Sequence, residues 1–166
     1  MATGTLYDNP VLFQETVSAV TATNTVQLGA VRWVGGSKYR YVYCDTGVAY
    51  PGYGVQLTSG GSGYSVCTAI TIGDPCFGVV QNTTMTTATY GWVLVDGIAK
   101  VQSAANSSVS ANKMLFLTAS GTFTDWAGNL GTALSAGLFY QFCGKSIGSG
   151  TASGVSVLAA VHCWNS

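Results

Sequence analysis

His162 is the one side chain in this sequence whose ordinary pKa lies near neutrality, and it stands between Val161 and Cys163 in an apolar run. Histidine beside cysteine invites comparison with a thiolate dyad. Neighbours on a strand point to opposite faces, however, so this pair cannot act together, and a packed or interface histidine is expected. The six carboxylates, Asp8, Glu15, Asp45, Asp74, Asp96 and Asp125, are dispersed along the chain. Three stand in turn contexts (Asp45-Thr-Gly, Asp74-Pro and Asp96-Gly), where Asp hydrogen-bonds its own backbone, so turn formation explains them better than acid/base work. Five cysteines, Cys44, Cys67, Cys76, Cys143 and Cys163, include no Cys-x-x-Cys pair, and zinc is not expected. Cys44, Cys67, Cys143 and Cys163 lie in apolar or aromatic runs, where free cysteine behaves as a small hydrophobe. A disulfide stays open, with no pairing legible. Neither a Gly-x-x-x-x-Gly-Lys-Ser/Thr loop nor a strand-to-helix Gly-x-Gly-x-x-Gly occurs in context, so no nucleotide or other cofactor is expected.

With catalysis unsupported, composition carries more weight. Charged residues make up 7% of the 166 residues, hydrophobic residues 48%, and 22 positions are glycine. Soluble domains spend about a quarter of their residues on charge. Such a chain is expected to have its surface covered by neighbours. Its formal net charge of zero argues against nucleic acid as a partner, because counterion-driven binding needs a basic patch. Apolar stretches such as Val155 to Val161 fall far short of a membrane-spanning helix, so no such span is expected. Residues Met1 to Asp8 lack a basic segment leading into an apolar core, so synthesis and use in a reducing cytoplasm is the expectation.

Val, Thr, Tyr, Ile and Trp dominate, and Gly, Asn, Asp and Ser punctuate them at short intervals. This predicts an all-β fold, a β-barrel or β-sandwich of about nine or ten short strands with little helix. Gly35-Gly36 between Val26 to Val34 and Lys38 to Tyr43 predicts a tight hairpin. Asp96-Gly97 between Gly91 to Val95 and Ile98 to Val101 predicts a second. Further strands are expected at Gly54 to Leu57, Tyr64 to Ile72, Phe77 to Gln81, Met114 to Leu117, Gly137 to Cys143 and Val155 to Cys163. The stretch from Ala133 to Phe142 reads equally as helix or strand, while Thr58 to Gly63 and Ser146 to Gly154 should be loops. Residues 1–25, interrupted by Pro10 and weak in alternation, read as an extended arm. Residues 26–166 read as a single β domain.

One segment concentrates recognition chemistry. Arg32, Lys38 and Arg40 are three of the six basic residues and lie within a run rich in tyrosine. Alternation puts Tyr39, Tyr41 and Tyr43 on one face and Lys38, Arg40 and Val42 on the other. The run is either a recognition strip or a tyrosine-lined barrel wall with a solvated outer face. Arg32, Lys38, Tyr39, Arg40 and Tyr41, together with Tyr7, Leu12 and Phe13 of the arm, are the candidate interface.

The order Leu28 to Gly47, with its Arg-Trp-Val-Gly-Gly-Ser-Lys-Tyr-Arg-Tyr core, then Pro51-Gly52, Phe77-Gly-Val-Val80 and Tyr90-Gly-Trp-Val-Leu-Val-Asp-Gly97, resembles the head-decoration, or cement, proteins of tailed bacteriophages. It covers about residues 26 to 100. It implies a non-enzymatic protein on the exterior of an icosahedral capsid, bridging adjacent major capsid proteins and stabilising the shell. The arm would act as a clamp by adding a strand to a neighbour's sheet. Shell symmetry favours self-association as a trimer, with a dimer second. A carbohydrate- or receptor-binding module on a virion surface, stacking sugars on Trp33, Trp92, Trp126 or Trp164, is the alternative. A hydrolase with dispersed carboxylates is a third class.

Overall fold

The structure is a computed structural model and describes residues 16–58, 63–67, 75–81, 83–104, 109–118, 120–125, 142–150 and 155–163. Every regular element among them is a strand, as β-branched and aromatic residues favour. In chain order these are β1 (Val20–Thr21), β2 (Val31–Val34), β3 (Ser37–Thr46), β4 (Val48–Ala49), β5 (Gly54–Leu57), β6 (Ser65–Cys67), β7 (Gly78–Val80), β8 (Met85–Thr86), β9 (Thr89–Gln102), β10 (Met114–Leu117), β11 (Phe123–Asp125), β12 (Phe142–Ser146) and β13 (Ser156–His162). The count exceeds the expected nine or ten because β1, β4, β8 and β11 are too short to display a period of two in sequence.

Hydrogen bonding runs from β9 to β7, β5, β6 and β3 and returns to β9, closing a ring of strands. Val42, Cys44, Val55, Val66, Phe77, Val80, Val93 and Val95 fill the interior of this small barrel with the β-branched side chains such a space accepts. The second half of β9 leaves the ring and pairs with β13, which continues through β12 and β10 to β11. The inner face of this second sheet carries Val157, Ala159, Val161, Leu115, Leu117 and Phe123. They pack with Val79 and Leu94, which point outward from the barrel wall. Barrel and sandwich are therefore both present, joined by β9, whose alternate side chains serve two cores.

Two glycine turns read alike in sequence and fold differently. Gly35 and Gly36 take φ of 57° and 81° and join β2 to β3 with Val34 opposite Ser37, the expected two-residue hairpin. Asp96-Gly97 is not a turn, and this corrects the second expected hairpin. β9 runs straight through it, with Asp96 opposite Lys38 and Leu94 opposite Tyr39, so one extra residue of β9 bulges from the ladder. Gly97 takes φ of 134°, and a Cβ there would overlap Ser37 Oγ. Asp-Gly signals a positive φ, and here Gly97 takes it within a continuous strand, opposite Val161, rather than in a turn.

Residues 16–25 of the expected arm lie on the domain itself. Val20 pairs with Gly91 and Thr21 with Tyr90, Val20 packs against the barrel core, and Thr83 Oγ1 donates to Ser18 O at 2.7 Å. Residues 1–15 and most of the ambiguous stretch from Ala133 to Phe142 lie outside the described residues.

Candidate docking surface

The tyrosine-basic run occupies β2 and β3, and alternation sorts its side chains as read from sequence. The two sides are not, however, a free strip and a solvated wall. Tyr41 is 0% exposed, its ring 5.1 Å from that of Trp92 and stacked 6.3 Å from Tyr90, with its hydroxyl 3.3 Å from Thr25 Oγ1. Tyr43 meets Tyr90 at 4.9 Å. Half-buried Tyr39 packs against the second core, and desolvation raises its phenol pKa above the ordinary value against the opposing effect of a bond to Ser37. On the barrel side, Val42 and Cys44 are sealed in the core. Arg40 Nη1 donates to Tyr64 Oη at 3.0 Å, and its guanidinium lies 5.2 Å over the Tyr64 ring. Gly29 leaves that ring the room it needs, since a Cβ would overlap it. Tyr41 is thus removed from the candidate interface, and Arg40 is committed to holding the barrel end. The cause is position: β3 is paired on both sides by β2, β6 and β9 and covered on both faces.

Arg32 is half-buried opposite Tyr39. Tyr7, Leu12 and Phe13 lie outside the described residues. Lys38 stands in a cross-strand row with Trp33, Asp96 and His162, one residue from each of β3, β2, β9 and β13. Trp33 is 61% exposed. His162 is exposed with Nδ1 3.4 Å from Asp96 Oδ1, so it is not packed inside, while Cys163 beside it points into the core.

The next rows hold what the candidate list lacked. Ile98, Ala160, Lys145 and Met114 follow one another across β9, β13, β12 and β10, and Leu158 lies opposite Lys100. Ile98 is 63% and Leu158 42% exposed, and Met114 and Ile147 are also exposed. The burial of β13 alternates without a break, with Val157, Ala159 and Val161 inward and Ser156, Leu158, Ala160 and His162 outward. Because both faces carry apolar residues, sequence could not say which one met solvent.

Cys44, Cys76, Cys143 and Cys163 are buried, and Cys163 Sγ lies 3.8 Å from Cys76 Sγ between the barrel wall and the second sheet. Desolvation pushes the Cys76 and Cys143 thiols up; for Cys163 the hydrogen bond with Cys76 contributes most and burial adds to it. Asp125 Oδ2 accepts from Ser110 N at 2.9 Å. Asp45 lies within β3 rather than in a turn. Among the described residues, no group of three or more His, Cys, Asp or Glu side chains is arranged to hold a metal.

No protein-family model matches the chain, and no curated protein does. Its fold is similar to that of a phage head fiber base. The crystal structure of the head fiber gp8.5 N base in bacteriophage phi29 aligns with a TM-score of 0.50 at 9% identity, over 74% of this chain and 92% of that one. At this identity the likeness is one of fold: nearly all of the fiber base has a counterpart here. The neighbour is a head fiber base, a likeness that does not point to decoration proteins specifically.

Proposed function

We propose that this chain is a non-enzymatic structural protein of a phage virion, seated on the outside of the capsid, where it bridges adjacent major capsid proteins and stabilises the shell. The observation that carries this reading is the alignment with 92% of the base of a bacteriophage head fiber. Composition supports it from a separate direction: with 7% charge, this chain has little to keep it apart from other proteins. Stabilisation then follows from mass action, since a protein that binds the assembled shell and not its dissociated parts shifts the equilibrium toward assembly. Self-association as a trimer, with a dimer second, belongs to the same proposal.

Capsids prepared without this chain, mixed with the purified protein and sedimented, test it. Saturable co-sedimentation and a raised temperature of capsid disruption are expected. Absence of both contradicts the proposal. The exposed indole of Trp33 favours one second reading, sugar stacking on a virion surface, whereas buried Trp92 is closed to that role. A glycan array probed with the protein should stay blank if the capsid reading is right.

A further inference from the structure

We infer that the outward face of the second sheet, centred on Ile98 and Leu158 and flanked by Lys100 and Lys145, is the surface that docks on an acidic, apolar-centred protein surface. The inference rests on the capsid reading above and names the side of the molecule and the chemistry of its partner. Ile98 and Leu158 stand one register step apart on paired strands, Ile98 against Ala160 and Lys100 against Leu158. Met114 extends the same row beyond Lys145. Apolar side chains so placed gain from burial only if another surface covers them.

Charge decides what covers them. The rows carry Lys100 and Lys145, with Lys38 one row further, against a single carboxylate, Asp96, which already faces His162. A second copy laid on this face in isologous fashion would bring Lys38, Lys100 and Lys145 of each copy together with a single carboxylate, Asp96, per copy to answer them. A foreign surface with an apolar centre and carboxylates around it answers both features. Lysine suits the rim of such a contact, where it steers approach and remains wet, while the apolar centre excludes water.

Two variants and a control, each checked for an unchanged fold by circular dichroism and melting, are measured for binding to capsids prepared without this chain. Ile98→Ser with Leu158→Ser should weaken binding at least about tenfold at every salt concentration. Lys100→Glu with Lys145→Glu should weaken it strongly at low salt and flatten its salt dependence. Val48→Ser, an exposed position on the separate β4–β8 ribbon, should bind like the unaltered chain. If the unaltered chain binds and both double variants match it, the face is wrong while the capsid reading stands. If the apolar variant fails but charge reversal leaves binding unchanged or improves it, the acidic partner is wrong. If the unaltered chain does not bind capsids at all, the capsid reading falls and takes this partner with it.

Discussion

Tyr41 shows how a side chain chosen for recognition chemistry becomes architecture. Tyrosine and arginine on one strand are what an interface would use, and they are also what a ladder of cross-strand aromatic pairs uses. The alternation of Tyr39, Tyr41 and Tyr43 was legible; the covering of that face by Trp92 and Tyr90 was not, because those partners lie about fifty positions away in the chain. Tyr41→Ala should lower unfolding free energy by roughly 3 to 5 kcal/mol, as for other fully buried aromatics, measured by urea denaturation. A loss below about 1 kcal/mol would contradict the packing described. The buried thiols give a second residue-scale prediction. Cys76, Cys143 and Cys163 are held protonated in the folded chain, so they should resist alkylation at pH 8 until denaturant is added, as read by mass spectrometry. The sign of the pH effect follows from the same shifts. Folded-state pKa values above the unfolded ones contribute stability that is present below about pH 8.5 and lost as pH rises beyond it, because the unfolded chain then releases protons the folded chain keeps. A melting temperature that rises between pH 8 and pH 10 would contradict this.

At the scale of elements, β9 organises the molecule. Its first half closes the barrel, its second half founds the outer sheet, and the extra residue, Val95, between Leu94 and Asp96 lies where the strand changes partners. Gly97→Ala puts a methyl group against Ser37 at a positive φ, and should cost about 2 kcal/mol, or roughly 4 to 8 °C in melting temperature. An unchanged melting temperature would contradict the close approach of Gly97 to Ser37. β1 makes a parallel point about the amino-terminal segment. The strand-adding capacity expected of a clamp is exercised at Val20–Thr21 on the protein's own β9. Removing residues 1–25 should therefore lower the melting temperature below that of the chain lacking only residues 1–15. Equal melting of both truncations would count against the role of β1. The hairpin at Gly35-Gly36 and the bounds of β5 and of β10 could be read in advance, because turn chemistry and alternation are local. The parallel pairing of β6 with β3 and the closure of the ring could not, since both depend on strands far apart in sequence.

For the whole molecule, scarcity of charge was the most informative thing in the sequence and the least specific. It said that this exterior tolerates being covered; it did not say where. The proposed place is one sheet face, with Trp33 at its margin, exposed Ile98 and Leu158 at its centre and Lys100 and Lys145 around them. That face escaped the candidate list because Ile98 follows a dipeptide read as a turn and Leu158 lies in a run apolar on both sides. Likeness to a head fiber base supplies the setting in which such a face has work to do. Electron cryomicroscopy of intact particles carrying this chain, compared with particles lacking it, tests the central claim most directly. The account predicts extra density of barrel-and-sheet shape at regular positions on the outer capsid surface, with the Ile98 and Leu158 side turned toward the shell. Particles that show no difference on the capsid exterior, or density with that side turned to solvent, would contradict it.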